Sequence, residues 1–158
     1  MADGPVAELP AKLARLVDAF ALMPDRSERI QALIGIAERF RPVPESVAQR
    51  PYPEEAKVPA CESEAYLFHK PQDDGTLKLH FAVENPQGIS AQAMAVILDE
   101  TLSGAPLAQV ARVPRDLPYK LFGNELSMGK SMGLMSMVAM AQAAARRELA
   151  RRAAVPEG

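Results

Sequence analysis

Cysteine is almost missing from this chain: a single residue, Cys61, among 158. A lone thiol excludes an internal disulfide framework and any zinc or iron–sulfur cage built from several cysteines of one chain. It also suits a reducing compartment. An excess of one charge sign is missing too. Eighteen Lys and Arg stand against twenty Asp and Glu, a net charge of −2, so no overall field draws the chain to nucleic acid. Nor is there an apolar run of membrane-spanning length. The most hydrophobic stretch, Ser131 to Ala145, contains Gln142 and lies between Lys130 and Arg146, short of the ~20 residues a bilayer helix needs. The opening Met1-Ala2-Asp3-Gly4-Pro5 carries acid and proline where a signal peptide carries positive charge before an apolar core. A soluble, cytoplasmic protein without a membrane or nucleic-acid partner is therefore expected. Gly123, Gly129 and Gly133 make no phosphate loop, because no strand leads into Lys130-Ser131. Internal repeats and low-complexity tracts are absent.

What is present reads as one ordinary globular domain of residues 1–158, with 48% apolar and 24% charged residues. A chain of this size buries roughly 68–70% of its unfolded surface. Leu13, Leu16, Val17 and Phe20 recur at helical spacing between Leu9 and Leu22. Pro24-Asp25 separates this helix from a second, capped by Asp25 or Ser27, with Ile30, Leu33, Ile34, Ala37 and Phe40 on its inner face. From Arg41 to Pro59 five prolines impose a connecting segment, either functional or draped over the surface. Glu64 to Lys70 and Thr76 to Glu84 then read as two strands about the turn Pro71-Gln72-Asp73-Asp74-Gly75. In the second strand Leu77, Leu79, Phe81 and Val83 alternate with Lys78, His80, Ala82 and Glu84, so one face is buried and the other wet or partner-covered.

Ser90 is the expected cap of a helix through Met94, Ile97, Leu98 and Leu102 that Gly104 terminates. A short helix starts at Pro106, a loop holds Pro114 and Pro118, and a long helix runs from Ser127 to a basic end at Arg146, Arg147, Arg151 and Arg152. The expected class is α+β: a small antiparallel hairpin sheet packed against several helices, the longest C-terminal.

Cys61 leads the candidate chemistry. It lies where the proline-rich approach meets the first strand, a loop position from which a thiolate can act as nucleophile or carry a sulfur atom. The alternative is a small buried hydrophobe. His69 is eight residues away, ~26 Å along a straight strand, and cannot serve as its base. His80 would approach only through the hairpin, and no thiol-hydrolase context surrounds Cys61. The two histidines and the cysteine have no metal-cage spacing, and solvated strand histidines account for them. Met128, Met132, Met135, Met137 and Met140 read as flexible filling of a helix's core face. Lys130, in the first turn of the last helix, sits against the dipole, either solvated or facing an anion or thiolate.

Taken in order, these residues resemble the SufE family of sulfur acceptors. The likeness is carried by Val58-Pro59-Ala60-Cys61-Glu62-Ser63-Glu64-Ala65-Tyr66-Leu67, where the family has Gly-Cys-x-Ser-x-aromatic, and by Leu126-Ser127-Met128-Gly129-Lys130-Ser131-Met132-Gly133-Leu134, where it has Leu-Ser/Thr-Pro-x-Arg-x-x-Gly. The resemblance spans about residues 10–150. Ala60 stands for the family's glycine, Lys130 for its arginine, and Asn85-Pro86 for a frequent Ser-Asp pair. It implies that Cys61 accepts persulfide sulfur from a SufS-like cysteine desulfurase and stimulates that enzyme. The sulfur then passes to an iron–sulfur scaffold, with Ser63 and Lys130 as auxiliary residues. The chain would be a sulfur-transfer protein and activator rather than a stand-alone enzyme. It would have no cofactor or metal of its own, because pyridoxal phosphate belongs to the partner. A noncatalytic adaptor in which Cys61 only packs is the alternative, and a homodimer stays open.

Overall fold

The computed structural model describes residues 8–124 and 126–154. Six helices and one hairpin follow in the order α1 (Ala11–Ala21), α2 (Arg26–Ala37), β1 (Ala65–Pro71), β2 (Leu77–Val83), α3 (Ile89–Leu102), α4 (Leu107–Val110), α5 (Leu117–Phe122) and α6 (Met128–Ala154). A single 3-10 turn, Glu54–Ala56, interrupts the proline-rich connection. The architecture is α+β, as the sequence implied.

Two of the capping expectations resolve in opposite ways. Asp25 caps α2, its carboxylate accepting the Ser27 backbone N–H at 3.0 Å. Ser90 does not cap α3. Asn85 makes the turn instead: its side chain accepts from the Gln87 N–H at 2.9 Å and its carbonyl from the Gly88 N–H at 2.9 Å. The helix therefore begins at Ile89 with Gly88 before it, and Ser90 falls within the first turn. Pro118 is likewise inside a helix, in the first turn of α5, where a missing N–H costs nothing.

The centre of the molecule is α3, buried on nearly every side from Ala91 to Leu102. Such burial suits its run of Ala, Met, Val, Ile and Leu, which leaves no polar stripe. It packs against α1, α2, α6 and β2. Ser103 ties its end to the sheet, donating to Asp99 at 2.7 Å while accepting the Leu79 N–H at 2.9 Å. Leu13 and Phe20 of α1 enter this core as the helical spacing implied. In α2 the buried stripe is Leu33, Ile36 and Ala37, whereas Ile30 and Ile34, expected inside, stay exposed. The core face of α6 is formed by Leu134, Met137, Val138 and Ala141; Met128 and Met132 point outward, contrary to the core-filling expectation.

The hairpin register pairs Leu67 with Phe81 and His69 with Leu79 on the buried face, and Phe68 with His80 on the other. That second face is covered in part by the chain's own proline-rich segment. The Tyr52 ring lies 5.1 Å from Tyr66 and 5.4 Å from Phe68, and Arg50 reaches Glu84 at 2.8 Å. Val43 adds a 2.8 Å backbone bond to the Phe81 carbonyl.

Toward its far end α6 carries Glu148, 8% exposed and bonded within the same helix to Arg151 at 2.5 Å and Arg152 at 2.8 Å. Hydrogen bonds from Arg151 and then Arg152 hold its carboxyl well below the usual carboxylate range, at about 2. A depressed folded-state pKa contributes stability that is complete above the unfolded value of 4.5 and is lost as pH falls toward 2. Glu148→Gln should therefore lower the urea midpoint at neutral pH. The gap to wild type should close as pH drops from 4.5 toward 2; a gap independent of pH would rule out the ion pair as its source.

Candidate functional site

Cys61 occupies a short loop closed like a hairpin tip. The Val58 N–H donates to the Ala65 carbonyl at 2.8 Å, and Lys57 bridges to Tyr66 just beyond. Inside it the Glu64 N–H donates to the Cys61 carbonyl at 3.1 Å, folding residues 61–64 into a turn. The Asn85 and Glu84 N–H groups bond the carbonyls of Ser63 and Glu64, both at 3.1 Å, and tether the loop to the end of β2. The turn requires two left-handed residues, Ala60 at φ 58° and Glu64 at φ 54°. Neither is glycine. A left-handed non-glycine residue costs roughly 1–2 kcal/mol, so Ala60, immediately before Cys61, is held under strain.

Two glycines let this loop sit where it does. A Cβ on Gly133 of α6 would stand 3.0 Å from the Cys61 Cα and 3.1 Å from the Ala60 carbonyl oxygen. A Cβ on Gly88 would stand 2.5 Å from the Ser63 Oγ. The cysteine loop therefore lies directly on the backbone of α6 and against the start of α3. Cys61 is half-buried and packs on the edge of the core.

A cleft of about 320 Å³ opens beside the thiol, lined among others by Cys61, Ser63, Ile89, Lys130 and Leu134. The sequence-predicted residues Cys61, Ser63 and Lys130 thus meet in one place. Ser127 caps α6, its Oγ accepting the Lys130 backbone N–H at 3.2 Å, which sets Lys130 in the first turn beside the cleft. The first turns of α3 and α6 both line the cleft, so the positive ends of two helix dipoles lie beside Lys130. The Glu62 carboxylate lies over Gly129, 3.1 Å from the position of an added Cβ. Chemically, the arrangement offers a thiol in a cleft whose charged lining is one ammonium, Lys130, and one carboxylate, Glu62.

Neither histidine joins it. His80 pairs with Phe68 and His69 with Leu79, and neither lines the Cys61 cleft. The thiol-hydrolase reading is thereby removed. The histidines are also half-buried rather than solvated; burial lowers the pKa of each, aided by Arg147 at His69 and by Lys78 at His80. No group of three or more His, Cys, Asp or Glu side chains able to hold a metal occurs among the described residues, and no helix there is long and apolar enough to cross a membrane. Sequence reasoning missed Gly88 as a contact of Ser63 and Glu62 as a neighbour of α6. It had placed Gly133 only as a motif position.

The α+β fold thus places its single cysteine on a strained, tethered loop beside a cleft. The family model for SufE, the Fe-S metabolism associated domain, matches residues 14–145, and the chain belongs to that family. Among solved structures, the solution structure of a hypothetical protein from Thermus thermophilus is similar at a TM-score of 0.71 and 23% identity, covering 90% of this chain and 99% of that one. That likeness concerns the fold. No curated protein matches the chain.

Two substitutions test the seating of the loop. Ala60→Gly relieves the left-handed strain but loosens the unfolded chain by about 0.4–1 kcal/mol, so a net stabilisation of up to about 1.6 kcal/mol is expected by denaturant titration. Gly133→Ala gains about 1 kcal/mol of helix propensity while its methyl presses on Cys61 and Ala60. The expected result is little change in stability but faster reaction of Cys61 with a disulfide reagent. An unchanged thiol rate would mean that the loop does not yield there.

Proposed function

We propose that this protein carries sulfur in iron–sulfur metabolism, with Cys61 as the acceptor. The observation that supports this most is the placement of the chain's only thiol on a loop tip, at the mouth of a cleft shared with Lys130 and two helix N-termini. The donor is a pyridoxal-phosphate cysteine desulfurase bearing a cysteine persulfide; the cofactor belongs to that enzyme. The Cys61 thiolate attacks the outer sulfur of the donor persulfide. A new S–S bond forms at Cys61, the donor's S–S bond breaks, and the donor cysteine leaves as a thiolate. Regenerating that thiolate frees the desulfurase for another cycle and so stimulates it. A second thiol nearby would convert the carried persulfide into a disulfide and release the sulfur as sulfide, so a single cysteine suits the task. Lys130 offsets anionic charge on the thiolate and persulfide, and Ser63 holds the loop against Gly88. Transfer onward to a cluster scaffold follows the same exchange.

A second reading has an observation in its favour. Cys61 is half-buried against α6, as a packing residue of a noncatalytic adaptor would be. The two separate by intact-protein mass spectrometry after incubation with a cysteine desulfurase, pyridoxal phosphate and cysteine. A carrier gains the mass of one or more sulfur atoms, removable by reductant and absent from Cys61→Ser. An adaptor binds and stimulates without the gain, and does so equally as Cys61→Ser. In the carrier, Lys130→Ala should slow transfer by about two- to fivefold, the factor for an exposed charge pair worth ~0.3–1 kcal/mol.

A further inference from the structure

The two charged side chains that line the Cys61 cleft, Glu62 and Lys130, are opposite in sign, and both are exposed. They are not joined. Among the described residues neither side chain enters an ion pair or a hydrogen bond, and the bond at Lys130 is made by its backbone N–H. Elsewhere in the fold, opposite charges that share a cleft are joined: Arg39 with Glu100 at 2.8 Å and Lys78 with Asp99 at 2.6 Å. Glu62 directly follows the thiol residue, and its carboxylate lies over Gly129, whose next neighbour in α6 is Lys130. A thiol, a carboxylate and an ammonium thus line one volume of about 320 Å³, with Ile89 and Leu134 as apolar wall. That is the low end of the roughly 300–1,000 Å³ that small-molecule sites span, which suits a ligand smaller than a drug. A ligand with one charge would gain one partner here and meet one like charge. A ligand with both charges satisfies both side chains.

Resting on the sulfur-carrier reading above, we propose that this cleft binds a free sulfur-bearing α-amino acid, and that Cys61 takes sulfur directly from cysteine persulfide without a protein donor. Lys130 receives the carboxylate of the amino acid and Glu62 its ammonium, while the side chain lies along Ile89 and Leu134 toward the thiol. A persulfidated cysteine within a protein has both of its α groups tied up in peptide bonds, so the charge pair singles out the free amino acid. In the transfer, the Cys61 thiolate attacks the outer sulfur of the protonated persulfide. An S–S bond forms at Cys61 and the donor's S–S bond breaks. The proton stays on the transferred sulfur, and free cysteine leaves as its thiolate. Nothing is oxidised or reduced overall, so the step needs no further reagent.

The experiment follows Cys61 of the full chain by intact-protein mass spectrometry as it exchanges with symmetrical disulfides. Cystine carries both charges on each half, cystamine the ammonium, dithiodipropionate the carboxylate and hydroxyethyl disulfide neither. Dividing each rate by that of the same disulfide with mercaptoethanol removes the leaving thiol's own effect. Wild type should favour cystine by about two- to fivefold over either singly charged disulfide, the factor for one exposed charge pair. It should also react faster with L- than with D-cystine, a preference that a mere field of charges does not produce. Lys130→Gln should erase the advantage over cystamine, and Glu62→Gln the advantage over dithiodipropionate. Circular dichroism melting checks that these variants fold, and the wild-type ratios stand as a test without them. L-cysteine persulfide alone should add one sulfur to Cys61, removable by reductant and absent from Cys61→Ser. Equal rates for the two enantiomers, or no gain from cysteine persulfide, would overturn the amino-acid site; sulfur loaded from a desulfurase in the same preparation would leave the carrier reading intact. No gain from either source would overturn both.

Discussion

Close backbone contact between the cysteine loop and α6 at Gly133 is the constraint on which the rest of the site depends. With a hydrogen in place of a side chain, the helix admits the Ala60 carbonyl and the Cys61 Cα at van der Waals range. The loop then needs two left-handed residues to turn back toward β1, and Ala60 and Glu64 adopt them at a cost. Backbone bonds to Val58, Glu84 and Asn85 hold the loop in that shape. Gly88 repeats the device on the α3 side, where Ser63 takes the space. The loop that carries the thiol is thus shaped by main-chain bonds, while the Cys61 side chain packs on the edge of the core.

Local patterning made most of the elements legible. The alternation of Leu77, Leu79 and Phe81, the spacing of Leu13 and Phe20, and the turn at Asp74-Gly75 all appear in the fold where the period placed them. What failed was whatever depended on tertiary partners. Ile30 and Ile34 have the same period as Leu33 and Ala37, yet only a neighbouring element can decide which edge of a broad apolar stripe is covered. Met128 and Met132 are interchangeable with Met137 in any local pattern, and helix rotation alone separates them. Ser90 looked like a cap because its residue type is favoured there, but Asn85 reached the backbone first. Pro118 looked like a breaker because proline's tolerance in a first turn depends on where the helix begins.

The three candidate residues of the sequence share one cleft, but the architecture that brings them together was not legible. Cys61, Ser63 and Lys130 come from two motifs far apart in the chain, and the structure unites them in one cleft. No local signal assigned Gly88 or Gly133 a contact, since a glycine's role in close approach is visible only from the element that approaches. The proline-rich connection shows the same limit. Its five prolines marked it as a connection, but nothing local placed Tyr52 over Tyr66 and Phe68, where it shields that part of the sheet's second face.

One helix runs the length of the hairpin, touching Cys61 through Gly133 near one end and the Gly75 turn through Arg152 at the other. A helix advances about 1.5 Å per residue and a strand about 3.3 Å. The two elements therefore act as rulers of different pitch clamped at both ends. Lengthening the strands by one residue would demand about two more in α6, or else a shift of the clamp that holds the thiol. The reach of the sulfur atom in this protein is a matter of gauge: it is set by a match of lengths along the whole molecule, and length changes in the hairpin tip, far from any chemistry, would be read out at Cys61.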